Sequence, residues 1–218
     1  AREAKIVQVD IDKTELEKTK SMVEISLNCD ARDFITKLVS YLEKQKIFIA
    51  QPHDWYETCN GYRNRYPFIG PEHEDKNGFI NSYKFMDQIS NYLKKDQIVV
   101  TDMGTGLLSG HQALRIKQGQ RLMTSTGLGE MGYGLPGAIG ASFARNKGEV
   151  LCLNCDGGMM MNLQEIQTLV HHQLPIKLFI FNNDGYLMIK HTQKNLFEGR
   201  YSGTNKSSGV SCPDFSKL

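Results

Sequence analysis

The chain has 218 residues, 40% hydrophobic and 23% charged, enough apolar material for an ordinary folded core. Its formal charge of +2 removes the electrostatic case for a nucleic-acid or acidic-membrane partner. No apolar run is as long as a membrane span, no secretory pattern opens the chain, and five scattered cysteines do not suit a disulfide framework, so a reducing cytoplasm is the expected setting.

Ala4 to Asp12 reads as a buried strand with nothing before it to pair with, and Asp10 and Asp12 as carboxylates that end it. Ala31 to Gln45 reads as an amphipathic helix, with Phe34, Ile35, Leu38, Val39 and Leu42 at helical spacing. One strand and one helix build no core, so residues 1–45 are expected to be the last βα piece of a Rossmann-like domain. Residues 46–78 mix aromatics, charge and turn formers without a period. That pattern predicts an ordered interdomain linker rather than a single-strand nucleic-acid surface.

From residue 79 onward strands and helices alternate. Asn81 precedes a helix expected to run to the lysine pair Lys94-Lys95. Ile98 to Thr101 is a strand, followed by Asp102-Met103-Gly104-Thr105-Gly106. A glycine-rich turn, Gly127 to Pro136, opens a small-residue helix over Gly137 to Arg145. The strand candidates Val150–Leu153 and Ile176–Phe181 flank another helix. The alternation predicts an α/β fold with a doubly wound parallel sheet and ligands at the carboxyl ends of its strands.

Asp156 and Asn183 lie twenty-seven residues apart, each just beyond one of those strands. A carboxylate, an amide oxygen and a turn carbonyl, best supplied by Gly185, are hard oxygen ligands of the kind Mg²⁺ takes together with phosphate oxygens. Gly157 and Gly158 let backbone N–H groups approach a phosphate without a Cβ in the way. Asn162 and Glu165 have capping-box spacing for the next helix. Cys152 and Cys155, three apart on a strand, face opposite sides and cannot share a metal. His171-His172 reads as a helix end, and Met159-Met160-Met161 as core filling. Lys190 and His191, which follow the metal-binding turn, are candidates for substrate contact or a solvated pair.

Cys155-Asp156-Gly157-Gly158 with Asn182-Asn183 resembles the fingerprint of thiamine diphosphate-dependent enzymes. Gly127-Leu128-Gly129-Glu130-Met131-Gly132-Tyr133-Gly134-Leu135-Pro136 is similar to the acetolactate synthase-like branch of that family. The resemblance covers nearly the whole chain and implies a diphosphate-binding domain over 79–218, read as stopping short of its C-terminal end. It implies Asp156, Asn183 and the Gly185 carbonyl as Mg²⁺ ligands, and Gly157 and Gly158 as backbone contacts to diphosphate. Met131 would prop the cofactor in a bent form, with the Gly129 carbonyl receiving its amino group. Gly104, Thr105, Gly106 and Leu107 would form a second loop near the diphosphate, and Tyr186 and Leu187 further cofactor contacts. The implied activity is that of a lyase or transferase, a decarboxylase or carboligase, acting on a 2-oxo acid such as pyruvate and an acceptor, in a homodimer or homotetramer. FAD, carried by some relatives, is left open.

Three departures qualify the resemblance. Cys155 replaces the first glycine of the fingerprint, so backbone packing there is expected to differ while binding survives. Leu107-Leu108 and His191-Thr192 replace a Gln-His and a Gln-Trp pair, which weakens a literal acetohydroxyacid synthase assignment. The pyrimidine-binding domain, with the glutamate that activates the cofactor, is absent, so no catalytic acid or base is assigned. The 218 residues would hold half a site, inactive alone, as a fragment of a chain more than twice as long. A separate diphosphate-domain subunit and a noncatalytic or regulatory α/β module remain the alternatives.

Overall fold

A computed structural model describes residues 3–50 and 52–218. The chain divides into two compact units, Ala1–Arg63 and Asn64–Leu218. In the first, β1 (Val7–Asp10) lies parallel to β2 (Ile25–Asn28), with α1 (Lys13–Lys18) between them in the chain. The expected first strand is therefore shorter and only half-buried, and it pairs with a strand that follows it in the chain. Ile25-Ser26-Leu27-Asn28, which supplies it, alternates apolar and polar residues over four positions, too brief a run to stand out. Asp12 ends nothing: its side chain accepts from the Thr14 N–H and caps α1, and Asp10 accepts from the Asp12 N–H. The expected helix is present as α2 (Ala31–Lys44), its N-terminus capped by Asp30.

The span 46–78 is more regular than its pattern suggests. It contains α3 (His53–Arg65), a helix that crosses the boundary between the units. None of its residues is buried, and its sequence, mostly polar with scattered aromatics, carries no apolar period to read.

The second unit holds α4 (Ser82–Ile89), β3 (Ile98–Thr101), α5 (Thr105–Ala113), β4 (Arg121–Met123), α6 (Gly134–Ala144), β5 (Val150–Cys155), α7 (Asp156–Met159), α8 (Glu165–His172), β6 (Ile176–Phe181) and α9 (Leu187–Leu196). Its four strands are all parallel, in the order β4-β3-β5-β6. β3 and β5 are buried throughout, and their side chains alternate between two cores. Val99, Leu151 and Leu153 join Met86, Ala113 and Leu114 under α4 and α5. Val100, Val150 and Cys152 join Ala138 and Ala141 of α6, while Leu135, Ile139, Met159 and Leu174 extend the cover toward α8. Helices on both faces make this the doubly wound α/β arrangement expected.

Several boundaries differ from expectation. Asn81 does cap α4, accepting from the Tyr83 and Lys84 N–H groups, but the helix stops at Ile89. There the Ser90 hydroxyl bonds back to the Met86 carbonyl and also accepts from Arg115 N–H, which turns the chain before the lysines. The Asn162–Glu165 capping box is absent. Asn162 Nδ2 donates instead to the Gly132 carbonyl, and Glu165 accepts from Thr168. Of the three methionines only Met159 is core; Met160 and Met161 are exposed. His172 does end α8, packed edge-on against Phe143.

Met86 is fully buried at the centre of its cluster. Met86→Ala is expected to lower unfolding stability by about 2–4 kcal/mol in urea titrations, through lost transfer energy and an unfilled cavity. All five cysteines are free. Burial pushes the Cys155 thiol up to about 12 and the Cys152 thiol in the same direction, whereas Cys59 is exposed. Iodoacetamide at about pH 8 should therefore modify Cys59 in the native protein and reach Cys152 and Cys155 only after denaturation. Peptide mass mapping reads this directly, and equal native rates would contradict it.

Candidate functional site

The chain runs from β3 to the sheet edge at β4, then returns across β3 to β5. That reversal is the switch point at which open α/β sheets bind ligands, beyond the carboxyl ends of the strands. Residues 102–107 leave β3 there, and residues 156–158 leave β5 beside them.

Asp156, fully buried, is the hub. Its Oδ1 accepts from the Gly157 N–H at 2.8 Å. Its Oδ2 accepts from the N–H groups of Asn183 at 2.8 Å and Gly185 at 2.9 Å. One carboxylate thus ties the exit of β5 to the turn after β6. A carboxylate offers about four lone-pair sites, so three N–H donors leave capacity for a cation. Asn183 Nδ2 donates to Thr105 Oγ1 at 3.1 Å, which leaves the amide Oδ1 as the acceptor on the opposite side of that group.

Gly185 has φ +111°, a conformation that L side chains rarely adopt, and a Cβ there would overlap the Thr204 carbonyl. That carbonyl accepts from the Tyr186 N–H at 2.9 Å, while the Gly185 carbonyl accepts from Leu187 N–H at 3.0 Å. Thr204 is itself buried and held by Gln193 Oε1 at 3.2 Å. Lys190, a candidate for substrate contact, is committed to the turn. Its Nζ donates to the carbonyls of Asn183 at 3.1 Å and Asp184 at 2.7 Å.

Gly157 lies beneath two side chains: a Cβ on it would overlap the Tyr186 ring and stand 3.2 Å from Met131 Cε. Met131, Asp156, Gly157, Gly158, Asn183, Gly185, Tyr186 and Thr105 therefore converge. Gly104 and Thr105 do not form a loop with Gly106 and Leu107. Gly104 takes φ +94° and ends the turn, and Thr105 already begins α5. Gly106 is buried with its N–H on Cys155 Sγ at 3.3 Å, and a Cβ there would come 2.8 Å from the Leu153 carbonyl. It packs the helix to β5. Leu107 sits in the first turn of α5, Leu187 begins α9, and Gly129 lies against Met103 with φ +70°.

Sequence reasoning missed Asp102. It is fully buried and accepts from the N–H groups of Gly132 and Gly134. Burial pushes its carboxyl pKa up, opposed by backbone N–H groups led by Gly134. The available signal was its place: an acid directly after an apolar strand, as Asp156 is. No group of three or more His, Cys, Asp or Glu able to hold a metal occurs among the described residues. Any cation here would rely on one carboxylate joined by amide and backbone oxygens, a donor set for a hard ion.

The profile of the family described as "Thiamine pyrophosphate enzyme, C-terminal TPP binding domain" matches residues 102–218. The acetolactate synthase large subunit of Porphyra purpurea is 32% identical over 216 residues, covering 99% of this chain and 35% of that protein. The isozyme 1 large subunit of Escherichia coli (strain K12) is 33% identical over 204 residues, covering 92% of this chain and 34% of its own length. The isozyme 2 large subunit of the same organism is 30% identical over 218 residues, covering 100% and 37%. The chain thus spans about a third of the length of these relatives. With β3 and β5 delivering their loops to one switch point inside the matched region, the chain belongs to the thiamine pyrophosphate-dependent enzymes, in the acetolactate synthase-like branch.

Proposed function

We propose that this chain supplies the diphosphate-binding half of a thiamine diphosphate- and Mg²⁺-dependent lyase or transferase, a decarboxylase or carboligase of a 2-oxo acid such as pyruvate. The observation that carries the reading is the Asp156 hub. One carboxylate accepts from the N–H groups of Asn183 and Gly185, and so holds the turn that carries the Asn183 amide oxygen beside Gly157 and Gly158, where no Cβ would fit.

In this reading Asp156, Asn183 Oδ1 and the Gly185 carbonyl hold Mg²⁺, and Gly157 and Gly158 receive the diphosphate. Met131 and Tyr186 close over Gly157 and support the cofactor above it. Thr105 orients the Asn183 amide, and Lys190 stiffens the turn by drawing off two of its carbonyls. Bound thiamine diphosphate supplies the electron sink that lets a 2-oxo acid lose carbon dioxide and pass the remaining carbon unit to an acceptor. The residues of this chain fix the position and metal of that cofactor. The group that activates it belongs, in this proposal, to a pyrimidine-binding domain of another subunit in a homodimer or homotetramer. Five free thiols accord with a cytoplasmic enzyme.

The test is calorimetric titration of the full-length protein with thiamine diphosphate at saturating Mg²⁺. Saturable binding is expected and should be abolished by EDTA. Asp156→Ala should weaken it by at least about a hundredfold and Asn183→Ala by about tenfold, since each removes a metal ligand. Carbon dioxide release from a panel of 2-oxo acids, with and without aldehyde or keto acceptors, then identifies the substrate. Absence of saturable binding, or binding indifferent to both EDTA and Asp156→Ala, would leave a noncatalytic α/β module instead.

A further inference from the structure

The buried carboxylate of Asp102 has no part in the metal or diphosphate roles above, yet it touches three loops of the cluster. Its own N–H donates to the Leu153 carbonyl at 3.0 Å and continues the pairing of β3 with β5. Its Oδ1 accepts from Gly132 N–H at 2.8 Å and Gly134 N–H at 3.2 Å, on the turn that presents Met131. Its Oδ2 is buried, has no hydrogen-bond partner among the described residues, and presses on Gly158, where a Cβ would overlap it. Gly132 is gripped from its other side as well. Its carbonyl accepts from Asn162 Nδ2 at 2.7 Å, and a Cβ on it would stand 2.6 Å from Met161 Cβ. Gly134 fits between Asp102 and Asn154, each 2.9 Å from where its Cβ would be. The Met131 turn therefore cannot approach or recede from Gly157–Gly158 without breaking a bond to Asp102 or colliding with it.

Resting on the proposed function, we infer that Asp102 is a positioning residue for thiamine diphosphate, fixing the distance between the Met131 turn and the Gly157–Gly158 backbone. Met131 supports the ring end of the cofactor and the glycines receive its diphosphate, so that distance matters only to a ligand long enough to use both. A carboxylate whose role is merely to stabilise the fold would affect a short ligand and a long one alike.

The experiment titrates the full-length protein, at saturating Mg²⁺, with thiamine diphosphate and separately with inorganic diphosphate. Asp102→Ala should lower affinity for thiamine diphosphate by about tenfold or more while inorganic diphosphate stays within about threefold. Asp102→Asn keeps an oxygen acceptor for Gly132 and Gly134 and should stay within about threefold of wild type for both ligands. Unchanged binding by Asp102→Ala, an equal fall for both ligands, or an Asp102→Asn loss as large as that of Asp102→Ala would overturn the inference. Should Asp102→Ala fail to fold by circular dichroism, Asp102→Ser is judged by the same ratio of affinities. Wild-type protein that binds neither ligand would remove the proposed function and this role together. Wild-type binding without the selective loss removes this role alone.

Discussion

Two buried carboxylates, at the carboxyl ends of neighbouring parallel strands, each recruit a pair of backbone N–H groups from a turn far along the chain. Asp102 collects Gly132 and Gly134, and Asp156 collects Asn183 and Gly185. Burying a carboxylate is costly unless hydrogen bonds replace its water, and bonds to a charged acceptor contribute about 1.5–3 kcal/mol each. The turns provide that compensation, and in exchange the carboxylates fix where the turns sit. The two acids differ in what they have left over. Asp156 shares its bonds between both oxygens and holds the Asn183–Gly185 turn, whereas Asp102 loads one oxygen and leaves the other against Gly158.

The sheet order makes this division of labour available. Because β3 and β5 are adjacent while the chain between them visits the edge at β4, the loops after both strands open on one crevice. Small residues then let the layers close: Gly106 packs against the β5 backbone, and Gly134 fits between Asp102 and Asn154. Both allow α5 and α6 to stand close enough to the strands for the loops at their starts to meet.

Much of this was legible in the sequence, and the reasons are local. Ile98–Thr101 and Ile176–Phe181 are short, strongly apolar runs, and both strands have the bounds their composition suggests. α2 and the cap on α4 follow from an apolar stripe and an asparagine. The Asp156–Asn183 spacing pointed to a shared site because both residues follow such strands. β2 and α3 were hidden for the opposite reason: Ile25–Asn28 alternates apolar and polar residues over only four positions, and the mostly polar sequence of His53–Arg65 carries no apolar stripe. The loop that the resemblance implied over Gly104–Leu107 is instead the start of α5 from Thr105, where Gly106 serves close packing against β5. Asp102 escaped notice since its importance lies in partners some thirty residues away, and a chain read in order does not place them.

Cys155 shows how the cradle tolerates its one departure from the family fingerprint. A side chain at the end of β5 must enter the layer between the strand and α5, the same face that Leu151 and Leu153 occupy. Gly104 and Gly106 leave room there: a Cβ on either would be 3.8 and 3.7 Å from the sulfur, ordinary contact rather than collision. The sulfur also accepts the Gly106 N–H, a donor that would otherwise lie buried at the start of the helix. The substitution therefore changes how α5 is fastened to the sheet while the N–H groups gathered by Asp156 keep their partner. Burial holds the thiol protonated at neutral pH, so no second negative charge arises beside Asp156. Cys155 thus fits at the end of β5 because its sulfur stands at ordinary contact distance from the first residues of α5 and takes a hydrogen bond there.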